Sequence, residues 1–147
     1  MQPCPWSPAE LLPHRPPMLL LDDILGYDDA HVRAVLTIHP ASAFLEAEGV
    51  PSIVGVEYIA QACAAWSGLQ ARLVGRAPRL GFLLGARGLR LHRPWFRRGE
   101  RLLVSVALAY RDAQLASFQG SITVGEAIAV ESDLTVYEPG EGEELPG

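Results

Sequence analysis

The chain has 147 residues, of which 49% are hydrophobic, and a net charge of −5. That length suits one domain with enough apolar material for a core. The acidic balance argues against wholesale nucleic-acid binding, and the absence of any Lys removes Schiff-base lysine chemistry and the lysine of a phosphate-binding loop. Two cysteines, Cys4 and Cys63, are too few and too far apart for a disulfide framework or a zinc site, and they agree with a reducing compartment. No segment offers the roughly 18 to 20 uninterrupted apolar residues of a membrane span, and Met1–Trp6 has no secretory signal pattern. The expectation is therefore a cytoplasmic protein.

In chain order, Ser7-Pro8-Ala9-Glu10 reads as a helix start, with a capping Ser, Pro at the first helical position and an acid at the third. Pro13 and Pro16-Pro17 keep that helix short. Met18–Leu21 is a short apolar run that reads as a buried strand or as the entry to one, and Gly26–Ala30 reads as a turn. From His31 to His39 the pattern alternates, with Val32, Ala34, Leu36 and Ile38 on one side, as in a half-buried strand. Residues 40–51 read as a loop.

Val54–Val74 is the dominant element. It is apolar nearly all round and rich in Ala, which predicts a buried helix against which a sheet packs closely. At 1.5 Å per residue it spans about 30 Å. Gly75 ends it. Arg79–Arg93 then carries strand character with a kink near Gly85 or Gly88. Leu102, Val104, Val106, Leu108 and Tyr110 alternate with smaller or polar residues. Arg111–Gln114 reads as a turn, and Ala116, Phe118, Gly120, Ile122 and Val124 as an inward set. Gly125-Glu126 reads as a hairpin turn, and Ile128, Val130, Leu134 and Val136 as the last strand. The order predicts an α+β domain over residues 1–138, with five or six antiparallel strands around one long helix, followed by an acidic tail, 139–147, expected to be disordered. Edge pairing of two such sheets would make a dimer.

One side chain stands out chemically. Glu57 lies near the start of a helix otherwise almost free of charge, and Glu is seldom buried unless paired or working. Burial and a helix N-terminus act on a carboxyl in opposite directions, which suits a group that exchanges a proton near neutrality. Gln61, four residues on, shares its face and is placed to orient the carboxylate or a ligand. A helix-end Glu reaching solvent satisfies the same pattern. Six of the twelve basic residues, Arg87, Arg90, Arg93, Arg97, Arg98 and Arg101, crowd one stretch. They read either as a solvated strand face or as a surface that steers an acidic partner.

Glu10-Leu11-Leu12-Pro13-His14-Arg15-Pro16-Pro17-Met18-Leu19-Leu20-Leu21-Asp22 resembles the LLPHRxPxLLVDR segment of type II fatty-acid 3-hydroxyacyl-carrier-protein dehydratases. Glu57-Tyr58-Ile59-Ala60-Gln61-Ala62 resembles their EAxAQA helix, and Arg93-Pro94 with Gly99-Glu100 resembles their later RPVxPGD segment. Gly49-Val50-Pro51 through Glu57-Tyr58-Ile59-Ala60-Gln61 is closer still to the GVPxWVGxEYxAQ pattern of the dehydratase-like subunit of aryl-polyene biosynthesis. The resemblance implies a hotdog fold, a dimer, and an acyl chain carried on the phosphopantetheine of acyl-carrier protein, with no metal or organic cofactor. It implies Glu57 as the acid for the departing hydroxyl, with Gln61 on the same face beside the substrate, and it puts Ser52 where the family has its backbone donor for the thioester carbonyl. An acidic carrier protein would give the Arg-rich stretch, with Arg97 and Arg98, a docking role beside its reading as a solvated face.

One departure matters. The fatty-acid enzymes carry a catalytic His in a GHFPG segment before this helix, whereas residues 44–51 here contain none. The base is then a His from a second hotdog subunit, or His14 or His39 within a homodimer, or there is none and the chain is a structural subunit. A thioesterase on the same fold, with Glu57 activating water, is a further alternative.

Overall fold

The computed structural model describes residues 1–78 and 81–138. It contains a short helix α1 (Pro8–Leu11), the long helix α2 (Gly55–Leu73) and eight strands: β1 (Asp23–Tyr27), β2 (His31–Thr37), β3 (Val50–Pro51), β4 (Phe82–Leu91), β5 (Trp95–Phe96), β6 (Arg101–Asp112), β7 (Leu115–Val124) and β8 (Ala127–Tyr137). Six strands form one antiparallel sheet in the order β1-β2-β6-β7-β8-β4, and β3 pairs with β5 alone. The sheet wraps α2, which is the hotdog arrangement expected of the sequence.

The alternating patterns explain the wrapping. Val32, Ala34, Leu36, Leu102, Val104, Val106, Phe118, Ile122, Val130 and Leu134 are all buried on one sheet face. Ile59, Ala62, Cys63, Trp66 and Leu69 of α2 meet them. The opposite face carries Arg33, Ser105, Gln119, Ser121, Glu131 and Asp133, as in an antiparallel sheet with one solvated side. Close approach of helix and sheet depends on Gly120, where a methyl group would run into the Ile59 side chain.

Several expected boundaries hold. A 3-10 turn over Ser52–Val54 leads into α2, and Gly75, at φ +75°, closes its end. The kink in β4 is real: its ladder to β8 slips between Leu83 and Gly85 and again between Arg87 and Arg90.

Four readings need correction. Met18–Leu21 is the entry to β1 and not itself a strand, because the Leu20 N–H donates to the Gln61 side chain instead of a ladder. Gly26 and Tyr27 belong to β1, and the turn is confined to the residues after them. Ser7 occupies the N-cap of α1 but makes no side-chain capping bond. Tyr110 does not continue the inward set, since a bulge between Leu108 and Tyr110 leaves it exposed. The acidic tail, 139–147, lies outside the described residues.

Candidate active site

Glu57 stands in the first turn of α2. It faces a groove of about 220 Å³ between α2 and the β8–β4 pair, with walls that include Ala60, Ala64, Leu83, Val136 and Tyr137. Gln61, one turn further along the helix, is fully buried. Its Nε2 donates to Glu57 Oε1 at 3.1 Å and to the Met18 carbonyl at 2.7 Å, while its Oε1 accepts the Leu20 N–H at 2.9 Å. Both amide hydrogens and the amide oxygen are thereby used. The loop at residues 18–20 fixes the amide, and the amide fixes the carboxylate. Gln61 does not itself wall the groove.

His14 reaches the same groove from the turn after α1. Its Nε2 lies 3.8 Å from Glu57 Oε1. Its Nδ1 is the one buried side-chain nitrogen or oxygen without a hydrogen-bond partner among the described residues. Arg15 holds this turn by donating from Nη1 to the Leu12 and His14 carbonyls at 3.0 and 2.8 Å. The other histidines are engaged elsewhere. His31 pairs with Asp28 at 2.8 Å and His92 with Glu131 at 2.7 Å, while His39 Nδ1 accepts the Ala41 N–H.

Ser52 lies away from this groove. Its side chain is buried, its N–H donates to the Pro94 carbonyl at 2.9 Å, and it borders a separate depression with His92 and Arg93. Its amide is therefore already spent. Arg97 and Arg98 are exposed on the turn between β5 and β6. That turn is a clasp: Glu100 Oε1 accepts both Arg93 Nη2 and the Arg97 N–H, and the Gly99 N–H donates to the Ile38 carbonyl. Because β5 pairs with β3, which immediately precedes the helix, the clasp sits at the same end of the chain's architecture as Glu57. It gives the Arg93-Pro94 and Gly99-Glu100 motif a structural reason.

Cys63 is buried in the core, which pushes its thiol well above the usual range and leaves it inert. Among the described residues no three His, Cys, Asp or Glu side chains form a metal-binding group, and no helix is long and apolar enough to cross a membrane. Sequence reading missed the groove walls. Ala60, Ala64 and Ser67 were accessible through the helical period counted from Glu57. Leu83, Val136 and Tyr137 come from strands remote in sequence, and only the fold brings them there.

A carboxylate on the central helix, aimed into a groove at the sheet's β8–β4 side, defines a hotdog-fold enzyme. The family model described as "ApeP-like: ApeP dehydratase" matches residues 6–146, and the chain belongs to that dehydratase family, a class of lyases. A FabZ 3-hydroxyacyl-[acyl-carrier-protein] dehydratase from a Polaromonas species is 30% identical over 132 residues, covering 84% of this chain and 88% of that protein. The dehydratase heterocomplex ApeI:P from Xenorhabdus doucetiae contains a chain with 31% identity and a TM-score of 0.87, covering 92% of this chain and 93% of that one. A hypothetical thioesterase from Streptococcus pneumoniae, solved with coenzyme A, shares the fold at 12% identity, with a TM-score of 0.65 over 80% of this chain and 85% of its own.

Proposed function

We propose that the chain is a subunit of a 3-hydroxyacyl-carrier-protein dehydratase that forms trans-2-enoyl thioesters in polyene, polyketide or fatty-acid assembly. The observation that carries this reading is Glu57, held by the buried Gln61 amide and facing a groove. Glu57 protonates the departing C3 hydroxyl as a base removes the C2 proton. The C3–O and C2–H bonds break, the C2–C3 double bond forms and water leaves. The substrate arrives on the phosphopantetheine arm of acyl-carrier protein, so the reaction requires no metal or organic cofactor of its own.

The base comes from a second hotdog subunit. Residues 44–51 offer no His, and the similar ApeI:P structure is a dehydratase heterocomplex. The sheet has an open edge to receive such a subunit. β4 is exposed along nearly its whole length and presents Leu83, Leu84, Leu89 and Leu91. A second reading, with His14 as the base, is favoured by its 3.8 Å approach to Glu57.

The test mixes purified chain with a candidate second hotdog subunit that carries the His and follows the enoyl thioester. The mixture should dehydrate and the chain alone should not. Glu57→Gln in the mixture should cost about 10²- to 10⁴-fold in rate while the complex still forms. Full activity from the chain alone, lost in His14→Ala, would move the base to His14. Unchanged dehydration in Glu57→Gln would leave the chain a structural subunit. Free acid and thiol as products would make the enzyme a thioesterase.

A further inference from the structure

The groove at Glu57 does not stop at Ser67. Ser67, Val136 and Glu138 belong to its walls and also to the walls of a second, larger cavity of about 370 Å³. That cavity continues along α2 past Ala71 and Val74, towards the β6–β7 turn at Ala113 and Gln114. The two spaces therefore lie end to end on one side of the helix. Glu57, Ala60, Ala64, Ser67, Ala71 and Val74 are spaced by three or four residues, which places them on a single helix face. Each is at least partly exposed, while Ile59, Ala62, Cys63, Ala65 and Leu69 between them are buried in the core.

We infer that the second cavity takes the distal part of a long acyl chain, and that Ser67 is the specificity-determining residue at the neck between the two chambers. The inference rests on the reading of the Glu57 groove as the thioester site. The reacting carbons must lie beside Glu57, and the hydrocarbon beyond them gains by leaving water. On one side the path is walled by Ala60, Ala64 and Val136, then by Ala71, Ala116 and the Trp66 ring. The side chain at the neck is a serine, small enough to leave a passage where any branched or aromatic side chain would fill it.

The neck also sets a length scale. Ser67 lies ten residues beyond Glu57, or about 15 Å along the helix axis at 1.5 Å per residue. An extended hydrocarbon advances roughly 1.3 Å per carbon, so about twelve carbons beyond C3, a chain of roughly fifteen in all, reach the neck, and longer chains enter the second chamber. The far end of that chamber is not sealed by apolar residues. Arg111 lies over the Trp66 ring at 5.4 Å, and Gln70, Arg76 and Gln114 stand nearby.

The experiment uses the assembled complex and two carrier-linked 3-hydroxyacyl substrates, of about six and about twenty carbons. Binding of the matching unreactive thioether analogues is measured in parallel. Ala71→Phe, which walls only the second chamber, should leave turnover and binding of the short chain within about twofold. It should weaken both for the long chain by at least about tenfold, which is what losing the burial of two methylenes amounts to. Ser67→Phe, at the neck, should lower the ratio of long-chain to short-chain turnover and binding by at least as much, and it decides the matter if Ala71→Phe does not assemble. Equal loss on both chain lengths, or no loss on the long one, overturns the inference. Failure of the dehydratase reading looks different: wild-type complex would bind the long analogue, lose that binding in the variants, and yet convert neither substrate to an enoyl thioester.

Discussion

Glu57 owes its position to a residue that never meets the groove. Gln61 ties together the Met18 carbonyl, the Leu20 N–H and the Glu57 carboxylate with one side chain. Replacing it with Leu strands two backbone groups and frees the carboxylate. Gln61→Leu should therefore cost about 2–4 kcal/mol in denaturant unfolding. It should also lower kcat more than it raises KM, because it disturbs placement of the acid and not substrate contact. A stability loss with unchanged kcat would show Gln61 to be structural alone. Tyr58, its neighbour on the helix, gives a pH signature. Burial, with a smaller contribution from Asp22, raises its phenol from 10.0 to about 12. The folded chain then keeps a proton that the unfolded chain has released, so this contribution is intact below pH 10.0 and is lost as pH rises towards about 12. Thermal melts should show Tyr58→Phe losing less stability than wild type over that alkaline window; parallel curves would contradict this.

At the scale of elements, the seat of the long helix is set by close approaches. α1 presses its end onto α2 at Gly68, where a methyl group would run into the Leu11 carbonyl oxygen. Arg72 of α2 also donates to the Glu10 carbonyl from both Nε and Nη2, at 3.1 and 2.8 Å. This contact holds the chain that leads on to His14, so the packing of two helices positions one wall of the site. Gly68→Ala should cost about 1–3 kcal/mol, or more if the backbone cannot yield. It should also reduce dehydration, because His14 and the loop at residues 18–20 shift with α1. An unchanged unfolding midpoint would mean that α1 is free to move aside. On the far side of α2, Trp66 donates to the Asp29 carbonyl at 3.0 Å and packs edge-on against Phe118, which fixes the helix against the sheet.

At the scale of the molecule, the two edges of the sheet differ. At β1 the terminal segment closes part of the edge: Gln2 and Tyr27 exchange both backbone hydrogen bonds at 2.9 Å. The β4 edge carries no such cover among the described residues, so it is the side on which a second subunit can extend the sheet. The charge is also uneven. The exposed Arg97 and Arg98 stand beside the Glu100 clasp in a chain whose net charge is −5, so they form a local basic patch; under the proposed function it is the surface that would steer an acidic carrier protein. Replacing both with Glu should lower kcat/KM for carrier-linked substrate by about tenfold or more at low salt and leave small thioesters unaffected. Equal loss on both substrates would remove the docking role.

The sequence by itself determined the long buried helix, the paired strands after it and the chemical singularity of Glu57. Periodicity reports which face of an element is buried, and a lone acid in an apolar helix is visible without coordinates. It determined less where residues are held by partners distant in the chain. Met18–Leu21 looks like a strand by composition, but its backbone is claimed by a side chain some forty residues away. The tertiary structure alone decided that His14 lies beside Glu57, that Ser52 lies elsewhere, and that Leu83, Val136 and Tyr137 close the groove. The groove walls depend on how β4 returns to pair with β8, His14 on how α1 packs against α2, and Ser52 on its bond to Pro94, long-range contacts that no local pattern encodes.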